Sequence, residues 1–111
     1  MFKKTERLNR IAFSGYFKIG RRYNSDNFTL VYSPAPLRAV AVVVGKKVFK
    51  GAVDRNTLRR RVYSAARTVL DTQGLTSGIY IIISKPTAKN YSPTNLLPEI
   101  ATLLAMAVKP R

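Results

Sequence analysis

Apolar positions recur with helical spacing in three segments of the chain. The first covers about residues 9–19, with Asn9 as its N-cap and Gly20 as the glycine that ends it. The second follows Asp54, which we expect to act as its N-cap, and spans residues 55–72. At about 100° per residue, its core face is predicted to consist of Leu58, Val62, Ala65, Ala66 and Val69.

Runs of β-branched and aromatic residues between these helices predict strands. They lie at 28–32, 38–45 and 79–84, with a further short strand near Tyr23. Residues 38–45 are apolar on both faces, so we expect this strand to be central in its sheet. The third helix follows Ser92 or Thr94 and continues to about Val108, with Pro98 in its first turn.

The order of elements predicts a single-sheet α+β sandwich with helices packed on the sheet. The 111 residues fit one domain, and residues 1–8 are expected to form a basic, mobile arm. The sequence has no run of 18 apolar residues, which excludes a membrane-spanning segment. Its charged N-terminus is unlike a secretory signal, so we expect a cytoplasmic protein.

The charge balance indicates a polyanionic partner. Twenty Lys and Arg residues against five acids give a formal net charge of +15 and a pI near 10.9. Nucleic acid is the expected partner, with an acidic membrane surface, an acidic protein or a merely solvated basic face as alternatives. The chain has no cysteine and no histidine, which excludes disulfides, Ser-His or Cys-His catalysis and histidine-bound metals.

Basic residues are concentrated around the start of the second predicted helix. They are Lys46, Lys47, Lys50, Arg55, Arg59, Arg60, Arg61 and Arg67, opposed only by Asp54. Arginine binds two phosphate oxygens at once, and a helix N-terminus adds partial positive charge. The arc next to the core face holds Asn56, Arg60, Tyr63 and Arg67, with Arg59 at its border. We therefore expect RNA or DNA to contact this arc.

Two phenylalanines in the first helix have two possible roles. Phe13 and Phe17 are four residues apart and share a helix face. Such a pair usually belongs to the core. Alternatively, it forms a stacking platform for single-stranded bases, flanked by Lys18, Arg21 and Arg22. The spacing leaves both possibilities open.

Three stretches together resemble the protein subunit of bacterial ribonuclease P. The stretch VVVGKKVFKGAVDRNTLRRRV matches the family's strand, lysine pair and Arg-Asn motif at the start of a basic helix. FSGYFKIG at 13–20 is similar to the family's first helix, and GIYIIISKP at 78–86 to its last strand. The resemblance covers about residues 7–104.

This resemblance implies an αβββαβα fold with a left-handed βαβ crossover, like the second domain of ribosomal protein S5. It also implies a function. The protein would bind the catalytic RNA of ribonuclease P and the 5′ leader of precursor tRNA, and require no membrane and no protein partner. The RNA, with magnesium bound mainly by the RNA, would remove the leader, and the protein would contribute no catalytic residue. The competing interpretations are a structural RNA-binding protein of ribosomal type and a self-sufficient nuclease, which would need clustered acids.

The resemblance also implies roles for individual residues. The RNA-binding set is Lys46, Lys47, Lys50, Arg55, Asn56, Arg59, Arg60, Tyr63 and Arg67. The leader cleft would be lined by Phe13 and Phe17, with Val31 nearest the position of the family's cleft-facing strand aromatic. Two positions depart from the family pattern: Thr57 stands where a second arginine is usual, and Tyr63 where a basic residue is common.

Overall fold

The computed structural model describes residues 10–108, and in the first helix the side chains of Phe13 and of residues 15–19. Its elements are α1 (Arg10–Ile19), β1 (Arg21–Asn24), β2 (Phe28–Ser33), β3 (Arg38–Val43), α2 (Ala52–Thr72), β4 (Gly78–Ser84), a 3-10 helix (Pro86–Asn90) and α3 (Pro93–Val108). This order confirms the predicted αβββαβα arrangement and the short strand near Tyr23. The 3-10 helix was not predicted, and the roles expected of Asn9 and of the arm at 1–8 lie outside the described residues.

The four strands form one sheet in the order β1-β2-β4-β3. Strand β2 pairs antiparallel with β1 and with β4, whereas β3 pairs parallel with β4. Since α2 connects β3 to β4, these three elements form the predicted βαβ crossover. The expectation that 38–45 is a central strand is wrong, because β3 lies at the edge. Its apolar character arises because both of its faces pack against other side chains, with Val40 and Val42 on one face and Ala39 and Ala41 on the other.

The larger core lies between one face of the sheet and the pair α2 and α3. The sheet contributes Phe28, Leu30, Val40, Val42, Tyr80 and Ile82. All five residues predicted for the core face of α2 are buried, and Leu70 joins them. Fully burying one such aliphatic side chain contributes about 1.5–3 kcal/mol. Among the described helices, none is both long and apolar enough to cross a bilayer.

A smaller core lies on the opposite face of the sheet, beneath α1. Its buried members are Val31, Ala39, Ile79 and Ile81. The half-buried Phe13, Tyr16 and Phe17 of α1 pack against them. Helix α1 contacts β2 and β4. The sheet therefore has helices on both faces, α2 and α3 on one and the short α1 on the other.

The starts of α2 and α3 differ from the sequence prediction. Helix α2 begins at Ala52 with Gly51 as its N-cap, so Asp54 lies in the first turn and does not cap the helix. There its carboxylate lies near the unpaired N–H groups, where negative charge is favourable. Helix α3 begins at Pro93, directly after Ser92, which places Pro98 in the second turn instead of the first.

A partly buried hydrogen-bond network attaches α3 to the β1–β2 hairpin. The Glu99 carboxylate accepts hydrogen bonds from the Ser25 hydroxyl (2.5 Å) and from the backbone N–H (2.9 Å) and side-chain amide (3.0 Å) of Asn27. Lys85 Nζ donates to the Ser25 carbonyl at 2.7 Å. This network fixes the hairpin turn against the helix, and with it the position of β1.

Gly20 allows the end of α1 to approach β2 closely. A Cβ atom there would lie 2.4 Å from Val31 Cγ1 and 2.9 Å from the Tyr16 carbonyl oxygen. The Gly20 N–H completes the last turn of α1 by donating to that same carbonyl (2.9 Å). Any side chain at this position would push α1 away from the sheet.

We therefore predict that Gly20→Ala lowers the free energy of unfolding by about 1–3 kcal/mol, the usual cost of overpacking. Gly15→Ala is the matched control, because a Cβ atom at Gly15 meets nothing within 4 Å. It should leave stability unchanged or raise it by up to about 1 kcal/mol, as alanine is the better helix former. Urea unfolding of both variants measures the difference. Equal stability of the two would contradict the close packing of α1 on β2.

Candidate nucleic-acid interface

The first half of α2 carries a basic surface beside its buried face. Asn56 and Arg60 are exposed, and Arg59 is half-buried at the border with the core, as the helical spacing predicted. From Arg55 to Arg67 the helix rises about 18 Å, at 1.5 Å per residue. This length is enough to follow several phosphates of an RNA strand.

The loop before α2 is held to the helix by Arg55. Arg55 Nη1 donates hydrogen bonds to the carbonyl oxygens of Phe49 (3.0 Å) and Lys50 (2.6 Å). Lys46, Lys47 and Lys50 in this loop are exposed. Arg55 thus fixes the predicted lysines next to the start of α2 and adds its own charge there.

Asn56 and Arg59 are joined by a side-chain hydrogen bond. The guanidinium of Arg59 donates to Oδ1 of Asn56, one helical turn earlier. The acceptor end of the Asn56 amide is therefore engaged within the protein. A contact from Asn56 to a ligand would use its NH₂ group, which donates to a phosphate, a 2′-OH or a base edge.

The predicted residues farther along α2 have structural partners. Tyr63 is half-buried against the larger core. Arg67 Nε lies 3.6 Å from Asp71 Oδ2, and Asp71 also accepts a 2.9 Å hydrogen bond from Arg38. The Arg38 hydrogen bond lowers the pKa of Asp71, with smaller contributions from Arg67. Because this pKa is depressed, the network contributes its stability above the usual aspartate range and loses it as the pH falls through the folded-state pKa.

Arg61 belongs to the other flank of α2. Its guanidinium carbon lies 6.0 Å from the centre of the Tyr91 ring. With Ser64 and Thr68 it lines a groove that faces Pro93 and Leu97 of α3. It therefore points away from the surface formed by Asn56, Arg59 and Arg60, although it is equally charged.

On the opposite face of the sheet, the two phenylalanines of α1 are stacked. The ring centres of Phe13 and Phe17 are 5.7 Å apart, and the ring planes differ by 13°. Both side chains are half-buried: they pack on the smaller core and keep part of each ring accessible. The packing confirms the core contact of the pair, and its role as a stacking platform for bases stays a prediction.

Val31 does not line an accessible cleft, and that expectation is wrong. It lies on the same face of the sheet as Phe13 and Phe17, but only 1% of its surface is exposed. The cause is the close approach of Gly20, which places the end of α1 directly over it. The neighbouring Tyr32 points to the other face, where its ring centre lies 5.2 Å from that of Tyr80.

Sequence reasoning named Arg22 only together with Lys18 and Arg21 as charges that flank the pair, whereas the structure places it directly against the stack. Its guanidinium carbon is 4.5 Å from the centre of the Phe17 ring. In the β1–β2 pairing Arg22 stands opposite Val31. Strand alternation after Gly20 could have indicated the face, but the pairing register was needed to place Arg22 on Phe17.

Comparison of the sequence with known proteins assigns the chain to a family. The family profile described as ribonuclease P matches residues 2–108. The ribonuclease P protein component of Parasynechococcus marenigrum is 33% identical, with 86% of this chain and 87% of the relative covered. The chain belongs to the ribonuclease P protein family. A further ribonuclease P protein component, from a Synechococcus strain, is 32% identical, with 89% of this chain and 78% of the relative covered.

Solved ribonuclease P proteins have the same fold. The structure of the Staphylococcus aureus RNase P protein superposes with a TM-score of 0.76 at 19% identity, covering 95% of this chain and 97% of that one. The RNase P protein from Thermotoga maritima gives 0.72 at 20% identity, covering 96% and 98%. These likenesses confirm the predicted α+β fold. Family membership makes the chain a protein component of ribonuclease P, the enzyme of tRNA 5′ processing.

We expect the hydrogen-bonding side chain of Asn56 to contribute more to RNA affinity than the charge of Arg61, which lies on the flank of α2 that faces α3. We predict that Asn56→Ala, which leaves the net charge unchanged, weakens binding of the ribonuclease P RNA by roughly 1–2 kcal/mol. Arg61→Ala removes a full charge from the flank that faces α3 and should have a smaller effect. Titration of the RNA with each variant measures the two affinities. A larger loss for Arg61→Ala would mean that diffuse charge, and not the Asn56 flank, determines binding.

Proposed function

We propose that this ribonuclease P protein binds two RNAs on two different surfaces. The basic flank of α2 and the loop before it bind the catalytic RNA. The stacked phenylalanines of α1 bind the single-stranded 5′ leader of precursor tRNA. The observation that carries the proposal is the accessible aromatic stack on the face of the sheet opposite α2 and α3.

The α2 surface suits a folded RNA because its charges are fixed in position. Arg55 is bound to two loop carbonyls, and Arg59 to the Asn56 amide. Ordered guanidinium groups lose little conformational entropy when they bind phosphate, and they present a fork that contacts two oxygens. Release of counterions from the RNA then supplies a large, salt-dependent part of the affinity.

The α1 surface suits a single strand because it combines flat rings with positive charge. Stacking on aromatic side chains needs unpaired bases, which a leader provides and a mature acceptor stem does not. Phe13 and Phe17 keep part of their rings accessible, and the exposed Lys18 and Arg22 lie on α1 and β1 beside them. A structural RNA-binding protein of ribosomal type would account for the basic face of α2 alone and would not need this second surface.

We assign bond cleavage to the RNA, with magnesium bound mainly by the RNA. Within residues 10–108, the carboxylates are not arranged as a magnesium centre of the protein's own. Asp71 is paired with Arg38 and Arg67, and Glu99 is bonded to Ser25 and Asn27. Across residues 10–108, no three acidic side chains come together in a way that could hold a metal ion. The protein's contribution is then to hold the two RNAs together and reduce their repulsion.

Because cleavage is assigned to the RNA and binding to the protein, we predict that the purified protein alone leaves precursor tRNA intact. With the ribonuclease P RNA added, the protein should increase the cleavage rate most at low magnesium, where repulsion between phosphates is least screened. Cleavage assays across a magnesium series, with and without the RNA, measure both effects. Site-specific cleavage by RNA-free protein would overturn the assignment of cleavage to the RNA.

A second prediction concerns the aromatic pair. Because both rings are only half-buried, Phe13→Ala and Phe17→Ala should each cost less than the ~3–5 kcal/mol of a fully buried phenylalanine. Affinity of the holoenzyme for precursor tRNA should fall by roughly 1–3 kcal/mol per lost stack, while affinity for mature tRNA stays unchanged. Ile19→Ala, at an exposed position of the same helix, is the control.

Precursor and mature tRNA would be titrated side by side, together with thermal melts of each protein. Equal losses for both tRNAs, or a melting transition that collapses, would return the two phenylalanines to a purely structural role.

A further inference from the structure

The outer face of Phe17 is covered by Arg22. The guanidinium carbon lies 4.5 Å from the ring centre, and Nη2 donates a 3.5 Å hydrogen bond to the Phe17 carbonyl oxygen. The same ring is also stacked with that of Phe13, with 5.7 Å between the ring centres. The ring of Phe17 thus contacts both a second ring and a guanidinium, and a nucleobase that stacks where the guanidinium lies must displace it.

Of the two partners of the Phe17 ring, Arg22 is the one that a base can displace. Phe13 is held by its packing on the smaller core, whereas Arg22 is an exposed side chain on the edge strand β1. The 3.5 Å hydrogen bond is at the long limit for such contacts, and cation–π interactions at exposed sites are weak. Stacking of a base on an aromatic ring is at least as favourable, and a displaced guanidinium can bind the phosphate of the incoming nucleotide.

We infer that Arg22 is a further residue of the leader site, one that acts by exchange. In the free protein its guanidinium covers Phe17. When a leader base stacks on Phe17, the guanidinium moves to a leader phosphate next to that base. The inference rests on the proposed function, since it requires that the leader binds at the α1 stack.

The movement of the guanidinium from Phe17 to a leader phosphate requires an arginine at position 22. A guanidinium is planar and can lie flat on a ring and afterwards bind two phosphate oxygens. A lysine ammonium keeps the charge but offers neither the flat contact nor the fork. Arg22→Lys should therefore bind the leader more weakly than the wild type, although the net charge is unchanged.

The neighbouring arginine provides a matched control. Arg21 carries the same charge, is also exposed, and pairs with Tyr32 in the sheet. Because side chains alternate along a strand, Arg21 points to the face of the sheet that carries α3. Arg21→Gln and Arg22→Gln remove identical charges from opposite faces of β1.

The test uses the assembled holoenzyme and two ligands, precursor tRNA with a 2-aminopurine base in its leader, and mature tRNA. For Arg22→Gln we expect about a tenfold loss of affinity for precursor tRNA, the scale of one charge-assisted contact. The slope of log affinity against log salt should also fall by about 0.7. Affinity for mature tRNA should not change, and Arg21→Gln should stay within about twofold of the wild type for both ligands.

The 2-aminopurine signal separates exchange from a structural role. Its quenching reports stacking, so at saturating protein Arg22→Gln should retain the quenching that Phe17→Ala loses. The inference is overturned if Arg22→Gln binds precursor tRNA as the wild type does, if both tRNAs lose equally, or if Arg21→Gln has the same effect. If the wild-type holoenzyme itself does not prefer precursor to mature tRNA, leader binding at α1 fails, and the role of Arg22 fails with it.

Discussion

Strand β4 is the element on which the arrangement of the rest depends. It lies between β2 and β3, and five of its seven residues, from Ile79 to Ile83, are apolar. Tyr80 and Ile82 point to one face of the sheet, and Ile79 and Ile81 to the other. Since neither face can be left in water without losing the burial of these side chains, helices must cover both. Helices α2 and α3 cover the first face, and α1 covers the second.

Covering both faces gives one small domain two surfaces of different chemistry. On α2, buried aliphatic residues leave a free flank on which arginines are held by carbonyl and amide oxygens. On α1, the stacked rings are half-buried, so they pack on the smaller core and keep part of their surface accessible. A net charge of +15 favours RNA at both surfaces. The chemistry of each surface then determines which RNA it suits. The ordered guanidinium groups of α2 suit a folded RNA, and the flat rings of α1 suit a single strand.

Helical spacing predicted the buried face of α2 correctly because that face is a local property of 3.6-residue periodicity. The residue patterns also predicted the order of elements, and the resemblance added the αβββαβα arrangement with its βαβ crossover. What local patterns could not supply depends on distant parts of the chain. The edge position of β3 follows from its pairing with β4, and the burial of Val31 from the approach of Gly20. Arg22 on Phe17 likewise requires the register of the β1–β2 hairpin.

The separation of the two RNA surfaces can be measured directly because the chain contains no cysteine. Single-cysteine variants Lys18→Cys on α1 and Val53→Cys in the first turn of α2, both at exposed positions, can each carry a photo-crosslinker. In the holoenzyme bound to precursor tRNA, the α1 position should crosslink to the leader and the α2 position to the ribonuclease P RNA. Crosslinking of both positions to the same RNA, or of the α1 position to mature tRNA as efficiently as to the leader, would contradict two separate surfaces.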